Sequence, residues 1–288
     1  MSSIADYKLE EDLQRLKEWL QKQPHLPQNI DKRILTAYVL GTKSLEIAKK
    51  KLDNYFTCKS TAPHYFTFPG RDPEDPAFKR GCEGMKLYIL PNKTPEGYVI
   101  VMGVFNLDIS KFNHHQFVAR VTMMVDLAMI EWPDAAGVVF VCDLADFEAS
   151  ILTKLSIQAN AFFLPWFEKA IPTKMKKLIF FNSPKFMDVI VNTFIKPFLS
   201  KKLFGRMLVT TEDVTVTKKC FPQELLPCDF GGREISSTDL NNYWLEKLRK
   251  NRDWFEKTNH QVADETKRLP DGKNTYGVNG TFRSLNVD

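Results

Sequence analysis

The residue types that carry out catalysis are present in this 288-residue sequence, but their spacing matches no catalytic motif. The thirteen glycines form neither G-x-G-x-x-G nor a loop ending in G-K-S/T, and no G-x-S-x-G turn presents a nucleophile. His114 and His115 are adjacent, so they point to different faces of a helix, and the other histidines and the cysteines lack the spacing of metal ligands. We therefore expect no metal and no cofactor.

Two aspartates are the remaining candidates for chemistry. Asp143 and Asp146 follow a predicted buried strand, where α/β enzymes often place catalytic carboxylates. An aspartate after a strand more commonly caps the next helix or turn. The capping interpretation is favoured, and we expect that the protein is not an enzyme.

Residues 183–207 combine an apolar helix with surrounding positive charge. Apolar side chains lie nearly all round this helix, so it must be covered on more than one side, either by the core or as a movable cover over an apolar cavity. The surrounding cations are Lys174, Lys176, Lys177, Lys185, Lys196, Lys201, Lys202 and Arg206. Such a run is usually a solvated face. Beside an apolar helix it also favours binding to an anionic bilayer, at about 1 kcal/mol for each cation near the surface.

Composition narrows the class of protein further. The 43% hydrophobic and 26% charged residues are typical of a folded globular chain, and the net charge of +5 gives no support to a nucleic-acid partner. Phe, Tyr and Trp make up 12%, which suits either a Phe-rich core or a cavity lined by phenyl rings. Five cysteines without a C-x-x-C pair, no secretory segment and no apolar run of bilayer length predict a cytoplasmic protein with at most peripheral membrane contact.

The periodicity predicts which elements hold these residues. Apolar residues at helical spacing predict three helices in about the first 60 residues, and the breakers in residues 61–76 predict no regular element there. Two apolar runs around residues 91–97 predict a hairpin, and strands then alternate with helices, including one helix over residues 186–204. Residues 256–288 are polar and predict a loosely packed tail.

Several short blocks along the chain carry a family resemblance. They are L-K-E-W-L (16–20), Q-P-H-L-P (23–27), S-L-E (44–46), K-L-D-N-Y-F (51–56), T-P-E-G-Y (94–98), D-I-S-K-F (108–112), F-N-S-P (181–184), I-K-P-F-L (195–199) and L-L-P-C-D-F-G-G (225–232). Together they resemble the CRAL-TRIO family of lipid-carrier proteins, and within it the branch of the α-tocopherol transfer and retinaldehyde-binding proteins.

The resemblance implies an α/β fold with an N-terminal all-helical domain (1–75), a CRAL-TRIO-like domain (76–255) and the polar tail (256–288). The second domain would have a mixed, partly parallel sheet flanked by helices that enclose an apolar cavity, with a mobile gate at about residues 183–206. The ligand-binding residues implied by position are Phe117, Val121, Met124, Phe163, Phe167, Ile171, Leu178, Ile190 and Phe194. The implied phosphoinositide-binding or membrane-binding residues are Lys174, Lys176, Lys202 and Arg206.

The sequence also departs from the family pattern. The second helix carries I-L-T-A-Y-V (34–39) where the family usually has arginines, so part of the basic surface is missing. Arg120 lies in the helix that supplies pocket residues.

The leading hypothesis is a soluble, monomeric carrier that binds a hydrophobic small molecule, such as a tocopherol, retinoid or carotenoid, and transfers it between membranes through transient peripheral contact. The alternative is a phosphoinositide-responsive interaction module at membranes that transfers no ligand.

Overall fold

One five-stranded mixed sheet forms the centre of the computed structural model, which describes residues 4–105 and 109–269. Its strands are β1 (Met85–Ile89), β2 (Tyr98–Phe105), β3 (Gly137–Asp143), β4 (Met175–Phe181) and β5 (Met207–Val209), in that spatial order. The first two strands pair antiparallel, and the remaining pairs are parallel. The expected α/β class and partly parallel sheet are confirmed.

The helices flank this sheet and form a separate helical layer at the N-terminus. They are α1 (Ile4–Gln21), α2 (Lys32–Gly41), α3 (Leu45–Thr61), α4 (Pro63–Phe66), α5 (Pro76–Glu83), α6 (His114–Glu131), α7 (Ile157–Lys169), α8 (Met187–Ile190), α9 (Lys201–Phe204), α10 (Ser237–Lys250) and α11 (Arg252–Lys257). Asp31 and Ser44 cap the N-termini of α2 and α3 through their side-chain oxygens. The expectation of no regular element in residues 61–76 is wrong for α4, where Pro63 occupies the first turn and needs no N–H partner.

The turn between β1 and β2 forms the predicted hairpin. Thr94 fixes it through two bonds: its backbone N–H donates to the carbonyl of Tyr98 at 2.9 Å, and its hydroxyl accepts from the N–H of Tyr98 at 3.2 Å. Gly97 has φ +79°, in the left-handed region where only glycine avoids a steric penalty. The register that follows pairs Met85 with Phe105.

The helical layer shares one apolar core with the helices that cover the sheet. Leu16, Tyr38 and Phe56 from the first three helices join Phe162 and Trp166 of α7 in one buried cluster. The C-terminus of α7 is also held by side chains of that layer, since Lys51 donates to the carbonyl of Ile171 and Tyr38 to that of Ala170. The N-terminal helices therefore fix the position of α7 over the sheet.

A buried ion pair fixes α6 in the same way. Arg71 donates to one carboxylate oxygen of Asp126 at 2.6 Å, and the hydroxyl of Tyr55 donates to the other at 2.6 Å. Both charged side chains are almost fully buried, at 2% and 1% exposure. Breaking such a pair by removing one partner costs about 3–5 kcal/mol, because the other charge is left unpaired in the interior.

Residues 258–269, here called the C-terminal strap, pack against the helical layer. The backbone of Ala263 donates to the carbonyl of Phe56, and Arg268 makes two bonds to Asp53 at 2.8 and 2.9 Å. Burial alone would raise the pKa of Asp53, but the adjacent His25 and Arg268 outweigh it and lower this pKa to about 2. The expectation of loose packing is wrong for residues 256–269; residues 270–288 lie outside the described residues.

Lys59 of α3 lies beneath this strap and generates a testable prediction. Its ammonium donates to the carbonyl of Thr258 at 3.3 Å, and burial lowers its pKa to about 7. The unfolded chain has a lysine pKa of about 10.4, so it binds more protons between pH 7 and 10, and the stability of the wild-type protein rises with pH across that window. Lys59→Met should therefore raise the free energy of unfolding by about 1–3 kcal/mol at pH 6 and by less at pH 9.

Urea unfolding at the two pH values measures this difference. The control is Lys17→Met, an exposed lysine of α1, which should change stability by less than about 0.5 kcal/mol at either pH. Destabilisation by Lys59→Met at pH 6 would contradict the burial of an unfavourable charge.

Candidate functional site

An apolar cavity of about 240 Å³ lies between one face of the sheet and the helices α6 and α7. Alternate residues of the strands form its floor, as expected for one face of a pleated sheet: Met85, Leu87 and Ile89 of β1, Val99 and Val101 of β2, Val138, Phe140 and Cys142 of β3, and Leu178 and Phe180 of β4. Residues of α6, α7 and the segment between β4 and β5 complete the wall. The cavity wall is therefore formed by elements that lie far apart in the sequence and meet only in the folded protein.

Eight of the nine residues implied as ligand contacts lie in this wall. They are Phe117, Val121 and Met124 of α6, Phe163 and Phe167 of α7, Ile171, Leu178 and Ile190. Their contact with a ligand stays a prediction, but the fold brings all eight to one cavity.

Phe194, the ninth implied residue, is not among the residues of the cavity wall but directly precedes Ile195, which is, so its contact with a ligand also stays a prediction. The segment that carries it is a π-helix over Val191–Ile195, whose hydrogen bonds span five residues instead of four. Ile190 lines the cavity, and the next lining residue along the segment is therefore Ile195, five positions on, rather than Phe194, four positions on. Phe194 packs against a separate apolar cluster with Phe147 and Met187.

The segment of residues 183–206, called the gate below, is not one helix, which corrects the prediction for residues 186–204. It consists of α8, the π-helix, a 3₁₀ turn at Lys196–Phe198, extended backbone at Leu199 and α9. Pro197 lacks an N–H donor and its ring clashes with the preceding turn, which disfavours a continuous α-helix at this point, and the backbone becomes extended at Leu199. Ile195, Leu199 and Leu203 nevertheless reach the cavity.

Two side chains of α7 hold the gate. The amide of Asn160 donates to the backbone carbonyl of Phe194 at 2.9 Å. The hydroxyl of Ser200 donates to the carboxylate of Glu168 at 2.5 Å, and the backbone N–H of Ser200 donates to the same group at 3.3 Å. The gate thus closes on α7 through few polar contacts.

Polar groups in the cavity wall are few, and none of the described lining residues carries a formal charge. The polar side chains among them are those of His114, Asn160, Thr173 and Cys142, with the indole of Trp132. Burial, and then the neighbouring His115, lower the pKa of His114 to about 4, so its ring is neutral at pH 7.

Arg120 of α6 points away from the cavity, although its helix supplies lining residues. Its guanidinium donates to the carbonyls of Met85 and Leu87 at 3.0 and 2.8 Å and to the side chain of Asn241 at 2.7 Å. Arg120 therefore ties α6 to β1 and α10.

Of the remaining candidates for chemistry, Asp143 and His115 have structural partners, and Asp146 is exposed. The carboxylate of Asp143 accepts from the N–H of Ala145 at 3.0 Å and from the amide of Asn182 at 2.8 Å, as the capping interpretation predicts. His115 bonds to the hydroxyl of Tyr65 at 2.8 Å. Within residues 4–105 and 109–269, no three or more His, Cys, Asp or Glu residues are placed to hold a metal ion.

The four implied membrane-binding residues lie close together beside β4, β5 and α9. Burial and the charges of Lys43, Lys176, Lys202 and Arg206 lower the pKa of Lys174, which places all five cations in one cluster, called the basic surface below. None of the five forms an ion pair with a described residue. Arg206 also donates to the carbonyl of Met175 at 2.5 Å.

Lys43 was not among the predicted residues. It lies two residues after the end of α2 and supplies positive charge near the helix that lacks the arginines usual in the family. Among the described helices, none is both long and apolar enough to cross a bilayer.

Comparisons with known proteins agree with this architecture. A profile described as CRAL/TRIO domain matches residues 83–232, and one described as Pinta-like, UBA domain matches residues 5–78. The first covers more than half of the chain, so the protein belongs to the CRAL/TRIO domain family. The solved structure titled "Crystal structure of Sfh5" is similar in fold, with a TM-score of 0.50 and 13% identity over 87% of this chain and 99% of that chain.

Several cavity residues were missed by the sequence reasoning. The strand residues carry a signal that could have found them, because the period of two that marks an inward face runs through Met85, Leu87 and Ile89. Leu199 and Leu203 carry no such signal, since the break at Pro197 decides which way they face.

A matched pair of substitutions on α6 tests whether the cavity is present in solution. Ala128 lines the cavity, whereas Ala119 is buried at 2% exposure in a packed part of the core. Ala128→Leu has space to occupy and should change stability by less than about 1 kcal/mol, while Ala119→Leu should destabilise by about 1–3 kcal/mol through overpacking.

Thermal and urea unfolding of both variants give the comparison. Equal destabilisation by the two substitutions would show that the region around Ala128 is packed as tightly as the rest of the core.

Proposed function

We propose that this protein is a carrier that binds a hydrophobic small molecule in the apolar cavity and transfers it between membranes. No catalytic step belongs to the proposal. The observation that carries it is the cavity itself, which is enclosed by apolar side chains and has no charged group among its described lining residues. Burying about 400 Å² of apolar ligand surface at about 25 cal/mol/Å² would stabilise the complex by on the order of 10 kcal/mol relative to ligand in water.

The ligand classes named by the resemblance suit such a wall. A tocopherol, a retinoid or a carotenoid presents a mostly apolar surface, and phenyl rings of Phe117, Phe163 and Phe167 offer large contact areas to it. Membership of the tocopherol and retinaldehyde branch stays part of this proposal.

The gate supports exchange of the ligand at a membrane. It contacts α7 through the carbonyl of Phe194 and through Ser200, and it contains a break at Pro197 where a change of direction costs little backbone hydrogen bonding. Phe198 and Leu199, both partly exposed, would enter the interface when the gate opens.

The basic surface supports transient binding to an anionic membrane in the cytoplasm, including one that contains phosphoinositides. The other four cations act electrostatically on Lys174, and all five lack ion-pair partners among the described residues, so their charge is available to phosphate groups. Each contributes about 1 kcal/mol near such a surface.

A transfer assay tests the function and the surface together. Protein loaded with diphenylhexatriene, a neutral fluorescent lipophile, is mixed with anionic vesicles that contain a quenching lipid. We expect loss of fluorescence as the probe is transferred, and at least tenfold weaker vesicle binding by the double variant Lys174→Glu, Lys202→Glu, with unchanged probe affinity in the absence of vesicles.

The control double variant is Lys250→Glu, Lys257→Glu, which makes the same charge change on α10 and α11. Since α10 packs against β1, at the opposite edge of the sheet from β5, this variant should bind vesicles nearly as the wild type does. Vesicle binding without any transfer would favour the interaction module, and failure to bind any lipophile would refute the carrier.

The bonds of Glu168 to Ser200 generate a second prediction. Glu168→Ala removes both bonds between α7 and the start of α9, so the open position of the gate becomes more accessible. Loss of about 1 kcal/mol of gate contact should raise the rate of transfer to vesicles about fivefold.

Stopped-flow fluorescence measures that rate. Glu131→Ala is the matched control, because Glu131 bonds to Lys247 of α10, away from the gate, and its removal should leave transfer unchanged. A rate that does not respond to Glu168→Ala would show that ligand leaves without movement of α9.

A further inference from the structure

Two exposed apolar side chains flank the turn that joins α2 to α3. Leu40, next to the last residue of α2, is 43% exposed, and Ile47, in the first turn of α3, is 41% exposed. Leaving large aliphatic side chains in water is unfavourable by an amount that scales with their exposed area. Lys43 lies between them in the turn and is itself exposed. These three residues are called the α2–α3 patch below.

The same turn borders an open groove of about 300 Å³ between α1 and the start of α3. Leu40 lines this groove together with three other apolar side chains, which are those of Leu9, Val39 and Leu45. The charged residues that line it are Lys8, Asp12 and Lys43. Leu40 is therefore part of a larger apolar surface, and the border of that surface carries a net positive charge.

The α2–α3 patch is continuous with the basic surface. Lys43 acts electrostatically on Lys174, and it belongs to both. The backbones approach closely at this point, since a Cβ placed on Gly41 would lie 3.1 Å from the Cβ of Pro172, two positions before Lys174. Thr173, between those two residues, lines the cavity. The patch therefore lies beside both the cations and one end of the cavity wall.

Charge and shape together decide which partner fits the patch. An anionic lipid bilayer presents phosphate groups at its surface and acyl chains just below them, so it matches lysines that stand beside aliphatic side chains. A second copy of the chain that used the same patch would bring five further cations against these five, and their repulsion opposes that contact. A bilayer satisfies both kinds of group.

We propose that the α2–α3 patch is a membrane anchor, in which Leu40 and Ile47 enter the bilayer interface while Lys43 stays among the phosphate groups. This inference rests on the proposed membrane binding, but it assigns a contact to the helical layer, which belongs neither to the gate nor to the described cavity wall. An anchor at this position would hold the basic surface and one end of the cavity wall at the bilayer, whether the gate is open or closed.

A fluorophore that reports its surroundings tests the anchor. In the background Cys220→Ser, Cys228→Ser, which lacks the two cysteines that are not buried, Leu40→Cys and Ile47→Cys are labelled singly with nitrobenzoxadiazole. On vesicles of phosphatidylcholine and phosphatidylserine, we expect the emission of both labels to move to shorter wavelength and to be quenched by a lipid with a nitroxide on its acyl chain. Ile235→Cys, at a position that is 55% exposed beside α10, is the matched control and should show neither change.

A charge substitution gives a second readout without a label. Leu40→Asp should weaken binding to the same vesicles at least tenfold, because a carboxylate would have to enter the interface beside anionic headgroups. The affinity for diphenylhexatriene in the absence of vesicles should stay unchanged, since Leu40 does not line the cavity, and this measurement also shows that the variant is folded. Ile235→Asp makes the same change at the control position and should bind vesicles as the wild type does.

The outcomes separate this inference from the proposed function. If the wild-type protein does not bind the anionic vesicles at all, the proposed membrane binding fails and the anchor fails with it. If the protein binds but neither label changes its emission, membrane binding stands and the anchor is overturned. Sedimentation velocity without lipid examines the other occupant: a dimer that Leu40→Asp dissociates would assign the patch to a second copy of the chain and would also overturn the anchor.

Discussion

The position of α6 depends on two buried charged groups, and the cavity depends on the position of α6. Arg120 ties the helix to the carbonyls of β1, and Asp126 ties it to Arg71 and Tyr55 of the helical layer. Leaving 240 Å³ unfilled costs on the order of 6 kcal/mol at about 24 cal/mol per Å³, so an unrestrained helix would move inward. Directional bonds on both flanks of α6 oppose that movement, and α7 is held by Lys51 and Tyr38 in the same manner.

Local sequence patterns predicted those elements whose apolar periodicity agrees with their burial in the fold. Apolar periodicity identified the first three helices, the hairpin of β1 and β2, and the parallel strands, because each pattern there agrees with the final burial. The π-helix at Val191–Ile195 and the break at Pro197 were not predicted, since their geometry is set by packing over the cavity. The strap was not predicted for a related reason. Its Arg268 is hydrogen-bonded to Asp53, which lies 215 positions earlier in the sequence, so the contact has no local signal.

The part of the candidate site that could be predicted is the part implied by the resemblance to the CRAL-TRIO family. The spacing of the polar residues did not predict the rest. Eight implied contacts reach the cavity because they lie on elements whose placement the family fold determines. The contact of Asn160 with the gate carried no signal in the sequence, since a lone asparagine in a helix has many common explanations. The basic surface illustrates the same limit, because Lys43, Lys174 and Lys202 come from three separate segments that only the fold brings together.

The π-helix in the gate lets one segment present either of two side chains to the cavity. A turn bonded from residue i to i+5 holds one residue more than an α-helical turn that joins the same ends. With π-helical bonding, Ile195 lines the cavity five positions after Ile190; with α-helical bonding of the same sequence, Phe194, four positions on, would take its place. A shift between the two bonding patterns would therefore exchange an aliphatic side chain for a phenyl ring in the cavity wall without any change of sequence.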